Sequence, residues 1–223
     1  MDKTLFFSAI TKFLLGLVCT ALLLFVPAGT VHFPGGQLLI LLLFVPMFVA
    51  GLVMMAANPA LLRSRLQVRE PQREQKSVVA LSGLMFLGGF IAAGLDFRLG
   101  WSAMPKPVSL CAAVLFVVAY ILYAEVLREN TWLSRTVRVQ EGQQLVDTGL
   151  YGVIRHPMYA ATMLLFLSMP LVLGSWVSFA FFLPYPLLIS KRIKNEEHLL
   201  EEQLSGYADY KDRVKYRLVP YIW

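Results

Sequence analysis

The feature that most constrains this chain is a series of apolar segments, each about as long as a bilayer core is thick. Four of them cover roughly 13–31, 37–57, 77–97 and 108–127, close to the ~20 residues a helix needs to cross about 30 Å of hydrocarbon. Hydrocarbon offers backbone N–H and C=O groups no partner, so such runs must be helical. Two further apolar segments, 158–173 and 175–190, meet at Gly174-Ser175. A helix of that length reaches only ~24 Å, so the pair reads as a tight helical hairpin, with Pro184 and Pro186 kinking its second arm. The expected fold is therefore all-α and polytopic: about six membrane helices, the last two a short hairpin, then a cytoplasmic C-terminal helix and tail. A 57% hydrophobic composition agrees, being higher than a soluble surface allows.

Punctuation between the runs sets the organisation. Residues 1–12 read as a short interfacial segment. Lys3 and Lys12 before an apolar stretch suggest a leader, but no A-x-A-like site follows, so the first helix is expected to be retained. Pro34-Gly35-Gly36 separates the first two spans, and Asn58-Pro59 ends the second, since proline disfavours helix at the residue before it. The chain divides into four N-terminal transmembrane helices, 1–128, and a C-terminal region, 129–223, that holds a polar loop, the hairpin and the tail.

The formal charge of +6 would suit nucleic acid, but the distribution points to a membrane. Five Lys and Arg lie in 58–76 (Arg63, Arg65, Arg69, Arg73, Lys76), four in 128–156 and seven in 191–223, with Lys3 and Lys12 at the start; the opposite loops hold only Arg98 and Lys106. That asymmetry places both termini in the cytoplasm, and, in a bacterial cell, the chain in the inner membrane. The partners expected are membrane lipids and a lipophilic substrate from the bilayer, with no nucleic acid. Cys19 and Cys111, each within an apolar run, read as buried thiols. The three histidines show no ligand spacing, so no metal is expected.

Two polar constellations flank the hairpin and return to the same membrane face. The first is Thr148-Gly-Leu-Tyr151-Gly-Val-Ile-Arg155-His156-Pro157-Met-Tyr159. Pro157 suits the first position of a helix, which puts Arg155 and His156 at a helix N-terminus where free N–H groups favour an anion such as a carboxylate. The same residues equally suit a snorkelling arginine and a capping histidine at an interface. The second is Lys191-Arg192-Ile-Lys-Asn195-Glu196-Glu197-His198-Leu-Leu200. On a helix, Ile193, Glu197, Leu200 and Leu204 share one stripe, so Glu197 interrupts an apolar face and needs a partner or a function; Arg192 and Glu196 can pair at i, i+4. The aromatic, basic tail from Tyr207 to Trp223 reads either as an interfacial anchor or as a flap over a cationic cofactor. Asp96 and Arg98 read as structural, and Glu125 either lines a cavity or pairs with Arg128.

Together with Gly206-Tyr207-Ala-Asp-Tyr210 and Pro220-Tyr-Ile222, these motifs resemble the isoprenylcysteine carboxyl methyltransferase family over about 130–223, in order and spacing. The first 128 residues match it only in being membrane helices. The resemblance implies an integral membrane enzyme that binds S-adenosylmethionine from the cytosol. It implies cofactor contacts from His156, Tyr159 and Glu197 with Tyr151 and Arg155 nearby, and catalytic roles for Arg192 and Glu196 at the reacting end of a lipophilic acceptor, most simply a carboxylate. Ala160-Ala161 and Asn195 depart from the family pattern, and the acceptor does not carry over. Arg-His-Pro and the Pro-Tyr-Ile ending also occur in NADPH-dependent membrane sterol reductases. The same residues admit a phospholipid or small-molecule N-methyltransferase, and a non-catalytic membrane scaffold.

Overall fold

The computed structural model describes residues 3–67, 73–134 and 136–223. Arg69 and Arg135, two of the charges counted above, lie outside the described residues, as does the side chain of Arg73. Helices α1 (Lys3–Ala28), α2 (Pro34–Ala57), α4 (Arg73–Leu99) and α5 (Lys106–Glu129) are long and apolar enough to cross a membrane. Between α2 and α4 lies α3 (Pro59–Leu66).

Helix α1 absorbs the segment expected to lie in the interface. Lys12 does not break it, because its Nζ reaches the carbonyl of Leu66 at 2.7 Å, at the end of α3. A long stem carries the charge out of the apolar zone, and the helix runs on. Asn58-Pro59 ends α2 as expected, but it also starts α3: the Asn58 side chain accepts from Leu61 N–H at 3.0 Å and Pro59 takes the first helical position, both favoured helix starts. Cys19 and Cys111 are free and exposed on helix surfaces, which corrects the buried reading; in these spans the apolar surround is lipid rather than protein.

The hairpin consists of α6 (Pro157–Val172), α7 (Trp176–Phe182) and α8 (Tyr185–Gln203). Its second arm breaks rather than kinks, at Leu183-Pro184, because prolines sit at the cap and in the first turn of α8. Helix α8 then continues outward through the second constellation, and α9 (Tyr207–Arg213) follows. Close approaches seat the hairpin against the spans. A Cβ on Gly35 would lie 2.6 Å from the Leu173 carbonyl, and one on Gly89 would overlap the Phe182 ring. The main core joins Leu24, Leu39, Phe90, Phe116, Met169, Phe182 and Ile193 from α1, α2 and α4 to α8.

At the tip, Asp96 is buried and accepts from Ser102 N–H at 2.7 Å, Ser102 Oγ at 2.5 Å and Ser175 Oγ. Ser175 in turn caps α7 by accepting from Ser178 N–H at 2.9 Å. Asp96 is thus a fastener between α4, the α4–α5 loop and the hairpin tip. Glu125 pairs with Arg128, whose Nε lies 2.8 Å from its carboxylate.

Candidate functional site

A cavity of about 90 Å³, open to solvent on one side, lies between the 130–146 loop, the 151–159 segment, α8 and α9. Both sequence constellations contribute walls: Tyr151, Arg155, His156 and Tyr159 from the first, Arg192 and Glu196 from the second. Of the predicted site residues, Glu197 alone is absent from the lining.

The local fold explains how each side chain is held. Gly149 has φ +52 and opens a 3₁₀ turn, Gly149–Gly152, whose Leu150 N–H donates to the Glu129 carboxylate at 3.0 and 3.2 Å. A Cβ at position 149 would overlap that carboxylate, so the position needs glycine for both its conformation and its space. Tyr151 is thereby turned inward. Its hydroxyl accepts from Asn130 Nδ2 at 3.1 Å and its carbonyl accepts from the Tyr210 hydroxyl at 2.8 Å.

Arg155 and His156 precede α6, as the sequence predicts, but their backbone N–H groups are already taken. They donate to the carbonyls of Tyr216 and Arg217, each at 2.9 Å. The tail is therefore stitched edge to edge onto the first constellation, and any anion seat is made of side chains rather than of helix-terminal N–H groups. His156 does not cap α6 with its ring. Its Nε2 lies 3.2 Å from Glu197 Oε1.

Glu197 is the hub beneath the cavity. Arg155 Nε approaches Oε1 at 2.7 Å, and Arg217 holds Oε2 through Nε at 2.9 Å and Nη2 at 2.8 Å. Burial pushes this carboxyl upward, yet the hydrogen bonds from His156, Arg217 and Arg155 outweigh it and hold it well below the usual carboxylate range. The buried Ile193–Glu197–Leu204 stripe is present, and the interruption in it is satisfied by three side chains from outside the helix. Two guanidiniums meet one carboxylate, so the cluster carries surplus positive charge. Arg155 Nη1 goes to the Val214 carbonyl at 2.6 Å. Its side chain is buried and lines the cavity.

Glu196, one residue earlier, faces the cavity. The Tyr159 hydroxyl donates to it and accepts from Arg192 Nε at 2.8 Å, so a phenol bridges the pair expected at i, i+4. The Arg192 guanidinium also lies 5.9 Å from the centre of the Tyr159 ring. Glu196 is the only carboxylate among the described lining residues, against Arg138, Arg155 and Arg192. Sequence reasoning missed Glu129, and it gave Tyr207 and Arg217 no individual role within the tail. Glu129 carries no local signal, while the tail's mixture of basic and aromatic residues suits an anchor and a flap equally until its contacts are seen.

Residues 107–206 match the family model described as phospholipid methyltransferase. Over 131 residues the chain is 25% identical to the mouse (Mus musculus) Delta(14)-sterol reductase TM7SF2, covering 52% of this chain and 31% of that protein. Over 92 residues it is 30% identical to the uncharacterized protein YpbQ of Bacillus subtilis, covering 41% and 55%. The chain thus spans about a third and about half of the length of these two relatives. Among solved structures it is similar to the eukaryotic intramembrane Ras methyltransferase ICMT (isoprenylcysteine carboxyl methyltransferase), with TM-score 0.60, 18% identity, and coverage of 96% of this chain and 77% of that one. At that identity the likeness speaks for the fold, which is that of a polytopic membrane protein. The family match and the shared fold bear out the resemblance read from the motifs.

Proposed function

From a chain whose residues 107–206 match the phospholipid methyltransferase family, we propose an integral membrane methyltransferase that moves a methyl group from S-adenosylmethionine to a lipophilic carboxylate. The observation that carries this reading is the meeting of Arg155–His156 with Arg192, Tyr159 and Glu196 around one cavity. The buried Arg155 guanidinium on its wall suits the carboxylate of an amino-acid-like cofactor. Bound there, S-adenosylmethionine supplies a methyl carbon already activated by its sulfonium.

In this reading Arg155 and His156 seat the amino-acid end, while Glu197 acts through them. Held by three donors and set off the cavity wall, it fixes their orientation as a positioning residue. Arg192 orients the acceptor, since a guanidinium grips a carboxylate with two parallel bonds, and Tyr159 holds Arg192 in place. The balance of lining charge favours an anionic acceptor over a protonated amine. The family's name makes a phospholipid amine the second reading, in which Glu196 acts as the base that an amine nucleophile requires. The acceptor enters from the bilayer, both termini face the cytoplasm, and region 129–223 is the site-bearing unit on four N-terminal spans.

The test is transfer of labelled methyl from S-adenosylmethionine by the purified protein in lipid, with an S-prenyl cysteine carboxylate and phosphatidylethanolamine as acceptors. An NADPH-oxidation arm, with a sterol diene as substrate, addresses the reductase likeness. Labelled ester is expected. Labelled amine selects the second reading, and NADPH turnover without methyl transfer rejects both. Arg192→Ala is expected to lower turnover at least a hundredfold while cofactor affinity changes less than about threefold, as for an interaction made with the acceptor alone; equal loss of both removes it from that role.

A further inference from the structure

The tail beyond α9 has one side in the site and another that the protein leaves uncovered. On the inner side, the carbonyls of Tyr216 and Arg217 accept from the N–H groups of Arg155 and His156, each at 2.9 Å. The Arg217 side chain holds Glu197 at 2.8 and 2.9 Å. Leu218 is buried in the main core with Tyr185, Ile189 and Ile193, and Trp223 packs against that core. Between Leu218 and Trp223 the chain makes a tight turn. The N–H groups of Arg217, Leu218 and Val219 converge on the Trp223 main-chain oxygen at 3.0, 2.9 and 3.1 Å, and the Val219 carbonyl accepts in return from Ile222 and Trp223.

What the turn presents outward is apolar. Val219 is 43% exposed, Tyr221 89% and Ile222 80%. Single exposed apolar side chains are ordinary, but here three fall within four residues. The backbone is also held in an unfavourable shape to present them. Among the described residues, Tyr221 is the non-glycine residue in the left-handed region, at φ +64, a conformation that glycine takes freely and tyrosine does not. Its ring leans on that of Tyr216, with centroids 5.1 Å apart, and otherwise faces outward.

The depth of the turn follows from its neighbours. His156, whose N–H is bonded to Arg217, stands immediately before Pro157, where α6 begins. Leu218 shares its core with the apolar first half of α8. The turn therefore lies at the level where α6 enters the bilayer, the layer in which tyrosine rings and aliphatic side chains are favoured together.

We propose that the 219–222 turn is seated in the lipid headgroup layer, so that the membrane holds the outer side of a strap whose inner side fixes Arg155, His156 and Glu197. The proposal is independent of which cofactor and acceptor the site takes. Its first test attaches a fluorophore at Ile222→Cys in the full chain. Cys19 and Cys111 are exposed thiols, so both are replaced by serine. In phosphatidylcholine vesicles the probe should be quenched by lipid carrying a spin label on its headgroup, and little by iodide in the water. Quenching by iodide alone would put the turn in solvent, and quenching by neither would put it against protein; each overturns the proposal. The second test compares amide exchange of the parent and the Tyr221→Ser, Ile222→Ser double variant in nanodiscs. The peptide carrying Arg155 and His156 should exchange about fivefold faster or more in the variant, because the strap loses its outer hold, while α7 keeps its rate. No acceleration at Arg155 and His156, or equal acceleration throughout, overturns the link between the lipid contact and the site.

Discussion

Two buried carboxylates fasten the hairpin, one at each end, and they are solved in opposite ways. At the tip, Asp96 is met by neutral donors, two serine hydroxyls and a backbone N–H. At the base, Glu197 is met by two guanidiniums and an imidazole. Neutral donors are enough to hold loops together. Charged donors in excess do more, because they leave positive charge beside a cavity. The contrast separates a carboxylate that shapes the fold from one that shapes a binding site.

The contrast is open to experiment. The largest effect is expected from Glu197→Ala, which strands Arg155 and Arg217 without their anion; it should cost about 3–5 kcal/mol of stability and abolish S-adenosylhomocysteine binding, read by thermal unfolding and calorimetry in detergent. Asp96→Asn should cost about 1–2 kcal/mol, the loss of charge-assisted hydrogen bonds, and leave affinity unchanged. Equal effects on affinity from the two variants would erase the distinction between the two carboxylates. Gly149→Ala should cost about 1–3 kcal/mol through its left-handed backbone and displace Glu129; adding Glu129→Ala should recover only the steric part.

Acid should act through Glu197 in a defined direction. Its folded-state pKa lies below the unfolded value of about 4.3. Its contribution is therefore complete above that value and is lost as pH falls toward the folded one. The parent protein is expected to lose stability below about pH 5, and Glu197→Gln should show the smallest pH dependence over that window. An identical acid profile in the two proteins would place the acid-sensitive group elsewhere.

Much of this was legible in the sequence because the signals are local. Apolar run length fixes the spans, Asn58-Pro59 and Pro157 fix helix ends, and Arg155-His156 and Arg192 to Glu197 announce themselves by putting charge where apolar residues are expected. Other features depend on contacts distant along the chain. Lys12 sits within a helix, its ammonium donating to the Leu66 carbonyl. Glu196 and Glu197 are neighbours with the same chemistry, and only the packing of α8 decides that one faces the cavity and the other the tail. Arg217 looks like an interfacial cation until Glu197 is seen across from it. The backbone N–H groups expected to be free at α6 are occupied by Tyr216 and Arg217 carbonyls, a pairing no periodicity announces.

The sixteen-residue length of α6 has a consequence for its surroundings. At ~1.5 Å per residue it falls about 6 Å short of a typical hydrocarbon core. No residue of α6 is exposed, so the shortfall is met by the helices packed around it rather than by a lipid annulus.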